Sequence, residues 1–338
     1  MRTEDFDYHL PAHLIAQTPV PRGESRLLIL HQETGQIELR QFSDLFDYLQ
    51  PGDTLVVNDS RVTARRLIGH RESGADAEAL LLRPEGERRW SALVRPGKSL
   101  RPGATIAFSL KDGRETVATV VGVTDEGGRI LEFESPDIRD AMLTEGVTPL
   151  PPYITEGLPD ESRYQTVYAG PGGSAAAPTA GLHFTEEMLL RAQTLGIGLA
   201  RVTLHVGIDT FRPVKVDSLE EHVMHGEWYT VSEEAAKTIN STKGRIVAIG
   251  TTTVRVLESA ACGPREVKAT SGDTRLFITP GYQFKLVDVL LTNFHLPKST
   301  LLMLVSALAG RDNIRNAYQA AVDAEFRFYS FGDAMLIV

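Results

Sequence analysis

The stretch TLVVNDSRVTARRL, residues 54–67, contains the change of pattern that decides the fold. Its first part, Thr54–Asp59, is an apolar run that ends in polar residues, which is typical of a buried strand. From Arg61 onward the chain changes to short alternating runs, such as EALLLRP, RWSALVRPG and TVATVVGV, separated by glycine and proline turns. Several short strands at regular spacing predict a small antiparallel barrel or sandwich that begins directly after the buried strand.

Strands and helices alternate on both sides of this β-rich segment. Strands are predicted at RLLIL, TLVVND, LARVTLHV, RIVAIG, TRLFI, VDVLLTNF and AMLIV, and helices at FSDLFDYLQ, DIRDAMLTEG, residues 186–195, SEEAAKTINSTKG, TTVRVLESA, STLLMLVSAL and RNAYQAAVDAEF. The first of these helices is predicted to begin at Ser43, and SEEAAKTINSTKG to have Ser232 as its N-cap and Gly244 as its C-cap. Such alternation is typical of a layered α/β domain. We therefore predict an α/β main domain of residues 1–60 and 150–338, with an inserted antiparallel β-barrel domain of residues 61–149.

The composition is that of a globular enzyme that stays in the cytoplasm. The chain has 338 residues, of which 42% are hydrophobic and 23% charged, so a sizeable core is expected. The most apolar stretch, Leu301–Gly310, is too short for a membrane span, and the first ten residues are acidic where a secretory signal would be basic. With Cys262 as the single cysteine, an intramolecular disulfide and a cysteine-based zinc site are excluded.

The distribution of charge leaves a nucleic-acid partner open. The net charge of −9 disfavours one, because phosphate contacts need lysine and arginine. Residues 61–101, however, carry ten basic and five acidic side chains, whereas residues 1–60 carry four and ten. An RNA-binding surface and an ordinary solvated strand surface fit this local excess equally well.

The stretch AAAPTAGLHFTEEML, residues 175–189, places small residues and one histidine before a predicted helix. Thr185 is suited to cap that helix. Gly181 and the alanines leave room for a ligand to reach backbone N–H groups. His183 lies beside this opening, where an imidazole could accept a proton. The plainer alternative is a tight loop whose histidine bonds to the backbone.

Two further strand-to-helix junctions are polar. In AIGTTTVRVLES, residues 248–259, a strand meets a glycine and three threonines, so Thr251, Thr252 and Arg255 could hold a carboxylate or phosphate; simple threonine capping explains them equally well. In LLTNFHLPKST, residues 290–300, Asn293 and His295 follow a strand. Ligands of open α/β sheets bind at such strand ends, so His183, His205 and His295 could converge there.

Other chemistries have weaker support. In EHVMHGEW, residues 221–228, the spacing of His222 and His225 would place both on one face of a helix, but no further ligand is marked, so we expect no metal. No G-x-G-x-x-G follows the first strand, which disfavours a Rossmann-type dinucleotide or methyltransferase site. No G-x-S-x-G is present, which disfavours an α/β-hydrolase.

Taken together, motifs along the whole chain resemble one family. They are, in order, LVVNDSRV, LPPYI, RYQTVYA, AAPTAGLHFT, VTLHVG, HVMHGEW, AIGTTTVRVLES, LLTNFHLPKSTLLMLVSAL and FGDAML. Each motif is weakly specific alone, but their ordered conjunction resembles the S-adenosylmethionine:tRNA ribosyltransferase-isomerase family of queuosine biosynthesis. The resemblance extends from DYHLP near the N-terminus to FGDAM near the C-terminus.

The resemblance implies an activity. S-adenosylmethionine donates its ribosyl portion to 7-aminomethyl-7-deazaguanine at the wobble position of a tRNA with a GUN anticodon, and the products are epoxyqueuosine-tRNA, adenine and methionine. It also implies an α/β domain with an inserted barrel. S-adenosylmethionine is then a consumed co-substrate, no cofactor or metal is needed, and a monomer without a membrane partner is expected. A non-catalytic RNA-binding protein is the alternative, and a methyltransferase would release S-adenosylhomocysteine instead.

Roles follow for residues in these motifs. His183 is the hypothetical base, with His205 or His295 as the helper acid. Phe184, Tyr164 and Phe294 could stack on adenine or the deazaguanine, although core packing is the plainer alternative for each. The remaining substrate-binding candidates are Asn58, Arg61, Arg163, Thr179, Gly181, Thr251, Thr252, Arg255 and Asn293. Arg65 and Arg66, with Arg61, are candidates for tRNA phosphates.

Three positions depart from the family pattern. Ala64 stands where proline is usual, Ile208–Asp209 where a second glycine is usual, and Gly226 where serine is common. None removes a residue to which chemistry is assigned, but the shapes of these loops are left open.

Overall fold

The computed structural model describes residues 1–110, 113–124, 127–207, 214 and 216–338. Asp209, one of the three departures, lies outside the described residues. The chain divides into two compact units: Met1–Arg61, Pro151–Pro171 and Ala177–Val338 form one, and Val62–Leu150 with Gly172–Ala176 form the other.

Strands and helices of both units are labelled here in chain order. The strands are β1 (Arg26–Leu30), β2 (Ile37–Gln41), β3 (Thr54–Asn58), β4 (Arg61–Val62), β5 (Arg65–Arg71), β6 (Asp76–Pro84), β7 (Arg89–Arg95), β8 (Thr105–Ser109), β9 (Glu115–Val123), β10 (Arg129–Phe133), β11 (Gly172–Ser174), β12 (Gly198–Leu204), β13 (Glu227–Val231), β14 (Ile246–Ile249), β15 (Ala261–Gly263), β16 (Glu266–Val267), β17 (Thr270–Thr274), β18 (Val289–Asn293) and β19 (Ala334–Ile337). The α-helices are α1 (Pro136–Glu145), α2 (Glu186–Thr194), α3 (Glu233–Asn240), α4 (Thr251–Ala260), α5 (Thr300–Ala309) and α6 (Arg311–Asp323). Short 3₁₀ helices include Phe42–Tyr48 and Thr179–His183.

The larger unit is built on a nine-stranded mixed sheet, in the order β17-β13-β12-β3-β14-β18-β19-β1-β2. Its central strands β12, β3, β14 and β18 are parallel. Every residue of β3, β14 and β18 is buried, as expected for strands covered on both faces. The carboxyl ends of these four strands therefore meet at one edge of the sheet.

The core of the larger unit follows from the period of two in its strands. Leu55 and Val57 of β3, together with Val247 and Ile249 of β14, belong to one buried cluster. Alternate residues of a strand share a face, so this cluster covers one face of the sheet. The aromatic rings of Phe42 and Phe184 and the α2 residues Leu189 and Ala192 complete it.

The smaller unit contains a closed antiparallel barrel of six strands, in the order β10-β7-β6-β5-β8-β9. Its interior is filled by alternating apolar side chains such as Leu81, Phe108, Val120 and Leu131, all of them buried. The predicted fold class, a layered α/β unit with a small antiparallel β-barrel, is confirmed. Within the described residues, none of the helices is both long and apolar enough to cross a bilayer.

Several element predictions need correction. The helix predicted from Ser43 is a 3₁₀ helix over Phe42–Tyr48. Helix α3 has the predicted N-cap, Ser232, but ends at Asn240 rather than at Gly244. The strand predicted at TRLFI lies earlier, over Thr270–Thr274, because β17 pairs there with β13. The position of β17 depends on its pairing with a strand distant in the chain, and local sequence patterns do not indicate such pairing.

Candidate active site

A polar cleft lies at the carboxyl ends of the parallel strands of the larger unit. It encloses about 620 Å³ including its open mouth. Most of the lining comes from three segments: Ala177–Ala180, the β14–α4 junction at Gly250–Thr252, and the end of β18 with the residues that follow it. Tyr153, Val206, Tyr329 and Ser330 complete the lining. Ligands of open α/β sheets generally bind at the carboxyl ends of the strands, and this cleft lies there.

Asn58 ties three strand ends together beneath this cleft. Its Nδ2 donates to the Leu204 carbonyl at 3.1 Å and to Thr252 Oγ1 at 3.2 Å. Its Oδ1 accepts from the Leu204 N–H at 3.0 Å and from the Ser60 N–H at 3.1 Å. Because Asn58 is fully buried and all these bonds are internal, it positions Thr252 and the ends of β3 and β12.

The N-terminus of α4 opens into the cleft. Gly250 is the N-cap residue at φ +90° and supplies no capping side chain. A side chain at this φ would be strained, so glycine is required here. Thr251 and Thr252 line the cleft, and their backbone N–H groups have no hydrogen-bond partner among the described residues. The first N–H groups of a helix carry partial positive charge, so an anionic group suits this point.

Asn293, at the end of β18, presents an acceptor at the adjacent strand end. Its Nδ2 donates to His183 Nε2 at 3.2 Å and to the Tyr329 carbonyl at 3.1 Å. Its Oδ1 is buried and has no partner within the described part of the chain. A buried unpaired carbonyl oxygen costs free energy, so a ligand donor in the cleft would stabilise it.

His183 is not among the residues that line the cleft, but it contacts Asn293, which is. Its Nδ1 is 2.8 Å from Ser25 Oγ, and its ring stacks on Phe42 with centroids 5.0 Å apart. Since Asn293 donates to Nε2, the proton of the neutral ring is on Nδ1 and is donated to Ser25. Burial lowers the pKa of His183 to about 4. Both ring nitrogens are therefore engaged, and the contacts of His183 are those of a residue that positions Asn293.

His295 lines the cleft itself. Its Nε2 is 2.9 Å from Thr292 Oγ1, and that hydroxyl also donates to the Asn293 carbonyl at 3.2 Å. A hydroxyl has one proton, so both bonds form together only when His295 Nε2 carries the imidazole proton. Nδ1 is then an open lone pair, and it has no partner among the described residues. Burial lowers the pKa of His295 to about 3.

His205 lies just beyond the end of β12, but it is not among the residues that line the cleft. Its ring stacks on the exposed Trp228 with centroids 5.1 Å apart. Partial burial lowers the pKa of His205, and the nearby carboxylate of Asp59 opposes this shift. Burial raises the pKa of Asp59. Of the three predicted histidines, one lines the cleft, one contacts a cleft residue and one lies apart.

Several predicted substrate contacts have structural partners. Arg255 forms a buried ion pair with Glu227 and donates to the carbonyls of Leu276 and Thr274. Arg163 donates to the Val20 carbonyl at 2.5 Å. A substrate would have to displace these bonds, so the roles predicted for both arginines remain predictions that their contacts do not favour.

The three predicted stacking rings all pack inside the protein. Phe184 meets Phe42 edge-on, and Tyr164 meets Phe331 in the same way. Phe294 packs against Tyr318, Phe326 and Phe328. Although Phe294 contributes to the cleft lining, these contacts favour the core-packing alternative for each ring.

Sequence reasoning missed two aromatic residues of the cleft, and it missed Ser25 and Thr292, which hold His183 and His295. Tyr153 lies in the quoted LPPYI motif, which could have signalled it. Tyr329 has φ +71°, a strained conformation for a bulky residue, and Asn293 bonds to its carbonyl. Ser25 carries no sequence signal, because its partner His183 is 158 residues away in the chain. Thr292 lies only three residues before its partner His295, within the LLTNFHLPKST stretch, which could have signalled it.

The HVMHGEW segment is not a helix. A 3₁₀ helix covers Leu219–Glu221 and β13 begins at Glu227, so His222 and His225 do not share a helical face as their spacing allowed. His222 contacts the Phe277 ring edge-on. In the described ranges, no group of three or more histidine, cysteine, aspartate or glutamate residues is arranged to hold a metal ion.

Changing Gly181 to alanine should destabilise the protein by about 1–3 kcal/mol. A Cβ at this position would lie 2.0 Å from the Tyr168 hydroxyl oxygen and 2.8 Å from Thr166 Cγ2. Packing therefore requires glycine at position 181, whereas the predicted ligand access at Gly181 remains a prediction. Urea unfolding measures the loss. The Tyr168→Phe change, which removes the nearest clashing atom, should recover part of it; full additivity of the two changes would contradict this explanation.

Lowering the pH from about 6.5 towards 4 should reduce the free energy of unfolding. The pKa values of His183 and His295 are lowered from 6.5 to about 4 and about 3, so the unfolded chain binds more protons in this window. The stabilisation is fully present above pH 6.5 and falls by roughly 1 kcal/mol per pH unit for each histidine. Urea unfolding at pH 7, 6 and 5 checks it. His183→Gln should have a shallower pH dependence than the unmodified protein, and identical slopes would contradict the prediction.

The fold and the cleft together define a class of protein: an α/β enzyme with an inserted β-barrel, whose polar cleft lies at the ends of parallel strands. The model of a family described as queuosine biosynthesis protein matches residues 3–337. This chain belongs to that family.

Relatives agree over the whole length of the chain. S-adenosylmethionine:tRNA ribosyltransferase-isomerases of Symbiobacterium thermophilum and Clostridioides difficile are 55% and 52% identical to it, and each alignment covers 100% of both proteins. A crystal structure of S-adenosylmethionine tRNA ribosyltransferase from Thermotoga maritima is 40% identical. It has a TM-score of 0.57, with 99% of this chain and 100% of that chain covered.

Proposed function

We propose that this protein transfers and isomerises the ribosyl group of S-adenosylmethionine onto 7-aminomethyl-7-deazaguanine at the wobble position of tRNA. The products are epoxyqueuosine-tRNA, adenine and methionine. The observation that carries the proposal is the full-length similarity, at 50–55% identity, to three proteins with the name of this activity. The polar cleft at the strand ends is where the small substrate would bind.

The chemistry sets three requirements for this cleft. The sulfonium acidifies the adjacent 5′ C–H bond, and a base that takes this proton leaves a sulfur ylide. The ribose ring then opens and expels adenine, which takes up a proton. The aminomethyl nitrogen attacks, and closure of the epoxide expels methionine. A base, a proton donor for adenine and a water-poor pocket are needed.

The electrostatics of the histidines suit a cationic substrate. Burial lowers the pKa values of His183 and His295 to about 4 and about 3, and lowers that of His205 as well. Neutral imidazoles do not repel a sulfonium, whereas imidazolium ions in a cleft of low dielectric would. The site therefore supports S-adenosylmethionine near neutral pH.

The contacts support a revised assignment of the proton-transfer groups. The sequence hypothesis makes His183 the base, but its lone pair is occupied by Asn293. We assign the base to His295, whose Nδ1 lone pair is open to the cleft, and a positioning role to His183. His205 remains a candidate acid. A His183→Ala enzyme that keeps near-normal turnover at saturating substrate would fit a positioning role and exclude His183 as the base.

Product analysis tests the function directly. Purified protein is incubated with S-adenosylmethionine and tRNA that carries the aminomethyl-deazaguanine. Release of adenine and methionine, with gain of epoxyqueuosine in the tRNA, supports the proposal. The alternative, a non-catalytic RNA-binding protein, binds the tRNA and releases no adenine. A methyltransferase releases S-adenosylhomocysteine.

Three arginines are proposed as tRNA contacts. Arg61 is exposed, and Arg65 and Arg66 are half-buried. Arg61 donates to the carbonyl of Ala169 at 2.5 Å, Arg65 donates to Thr148 Oγ1 at 2.8 Å, and Arg66 pairs with Glu78 at 3.0 Å. Each of the three guanidinium groups therefore already has a partner within the protein, which leaves fewer of its N–H groups for tRNA phosphates.

Replacing all three arginines by alanine should weaken tRNA binding and flatten its salt dependence. Each lost phosphate contact lowers the slope of log affinity against log salt by about 0.7–0.9. Filter binding between 50 and 200 mM salt measures the slope, and circular dichroism checks that the variant is folded. Arg40→Ala, which removes a surface arginine paired with Glu38, is the matched control. An unchanged slope in the triple variant rules out these contacts.

The remaining details of the proposal follow from the substrate. A tRNA with a GUN anticodon is the partner, and the protein acts in the cytoplasm, where such tRNAs are modified, as a monomer. S-adenosylmethionine is consumed, and we propose that no further cofactor is required. Activity of the chelator-treated, dialysed protein tests the last point.

A further inference from the structure

We infer that the ends of β14 and β18 form a clamp for an α-amino acid group: the N-terminus of α4 binds its carboxylate and Asn293 Oδ1 accepts a hydrogen bond from its ammonium. This inference rests on the proposed function in one respect, namely that the amino acid group is the methionine end of S-adenosylmethionine. The clamp residues are Gly250, Thr251, Thr252 and Asn293.

The orientation of the Asn293 amide follows from its neighbours. Two acceptors, His183 Nε2 and the Tyr329 carbonyl, take both protons of Nδ2. Turning the amide over would place Oδ1 against the Tyr329 carbonyl oxygen, where both atoms are acceptors. Oδ1 is therefore held in the other direction. Asn293 is 3% exposed and lines the cleft, so its unpaired oxygen needs a donor that only a ligand or water there supplies.

The carboxylate half of the clamp has the matching chemistry. Helix α4 has ten residues and begins at Gly250 without a capping side chain. Its first two N–H groups are unpaired within the described residues, and the helix dipole adds partial positive charge. Asn58 holds Thr252 Oγ1 at 3.2 Å, so this end is fixed before a ligand arrives. A carboxylate is thus preferred here over a neutral group.

The two halves of the clamp lie at the ends of adjacent strands. β14 and β18 are parallel neighbours in which Ile249 pairs with Leu291, and the Gly250 N–H donates to the Leu291 carbonyl at 2.7 Å. Residues at the ends of adjacent strands are about 5 Å apart. The carboxylate and ammonium of one α-carbon can therefore reach both strand ends with hydrogen bonds of ordinary length.

Ser25 and His183 act through Asn293. Ser25 holds His183 Nδ1 at 2.8 Å, and His183 in turn accepts from Asn293. Neither residue is among those that line the cleft. They are positioning residues, so changing them should raise the KM for S-adenosylmethionine more than it lowers kcat.

Ligand analogues test the clamp on the unmodified protein, without tRNA or turnover. Calorimetry compares S-adenosylmethionine, L-methionine, 4-(methylthio)butanoate, which lacks the ammonium, and 3-(methylthio)propylamine, which lacks the carboxylate. Each truncated analogue should bind at least tenfold more weakly than L-methionine. Affinities within twofold of L-methionine would overturn the clamp.

Variants then assign each half. Asn293→Leu should reduce the preference for L-methionine over 4-(methylthio)butanoate to near unity. Thr251→Pro, which deletes one N–H at a helix position that tolerates proline, should reduce the preference over 3-(methylthio)propylamine. Asn240→Leu is the control, because the Asn240 side chain bonds to the Val267 backbone and is not among the residues that line the cleft. If Asn293→Leu and Thr251→Pro are both folded and both keep the affinity ratios of the unmodified protein, the assignment is overturned.

The outcomes separate the clamp from the proposed function. If S-adenosylmethionine binds and adenine is released with tRNA but the analogues bind equally well, the clamp is wrong and the function stands. If L-methionine is discriminated but no adenine is released, the clamp stands and the function is wrong. If Asn293→Leu weakens adenine binding and leaves the methionine preference intact, Asn293 holds the base instead and the clamp is overturned.

Discussion

His295→Ala is expected to lower kcat for adenine release by about 10²- to 10⁴-fold, the usual contribution of a positioned proton-transfer group. The reason is that His295 lines the cleft and its Nδ1 has no partner among the described residues, while Thr292 fixes the ring through Nε2. Single-turnover release of adenine from S-adenosylmethionine in the presence of substrate tRNA measures the effect. Exogenous imidazole should restore part of the rate, because the substitution leaves space for it.

The backbone partners of His295 make this a clean experiment. The backbone N–H of His295 donates to the Tyr318 hydroxyl at 2.9 Å, and its backbone carbonyl accepts from the Tyr8 hydroxyl at 2.5 Å. Because both groups belong to the backbone, the substitution leaves these two bonds in place. His31→Ala, which removes an imidazole that bonds to Glu38 at 2.8 Å and is not among the cleft-lining residues, is the control. If His295→Ala retains more than a tenth of kcat while folded, the base assignment is wrong.

Arg255→Ala is expected to reduce the free energy of unfolding by about 3–5 kcal/mol, the usual cost of breaking a buried ion pair by removing one of its partners. Arg255 and Glu227 are each only 5–6% exposed. After the change, Glu227 keeps its bond from the Gly207 N–H at 2.9 Å but loses the charge of Arg255. Urea unfolding followed by circular dichroism gives the midpoint and slope.

Two comparisons make the ion-pair prediction specific. The double variant Arg255→Met with Glu227→Leu removes both charges and should be less destabilised than Arg255→Ala alone. Arg40→Ala, on the exposed pair with Glu38, should leave the midpoint almost unchanged. A double variant that is less stable than the single one would show that packing, rather than an unpaired charge, explains the loss.

Most of the architecture could be predicted from local patterns. The apolar run at Thr54–Asp59 and the alternating runs after Arg61 indicated an α/β unit and a barrel, because hydrophobic periodicity is set by neighbours in the chain. The Thr185 and Ser232 caps were predicted correctly for the same reason. The position of β17 was not predicted correctly, because the residues at which a strand begins and ends depend on its pairing partner.

The site was predictable only in outline. Polar residues after buried strands pointed to Thr251, Asn293 and His295, and all three line the cleft. The same reasoning chose Gly181 and Phe184, which both pack closely against other side chains. A residue type near a strand end does not report whether its side chain turns towards the cleft or the core.

The linear order of residues was thus sufficient for the fold class, for the family resemblance and for the strand ends at which a ligand would bind, because each depends on residues close together in the chain. The roles of individual side chains were decided by packing. Ser25, His183 and Asn293 are separated by 158 and 110 residues in sequence, yet hydrogen bonds between them engage both ring nitrogens of His183. Burial sets the pKa values of His183 and His295, and burial exists only once these distant segments exclude water together.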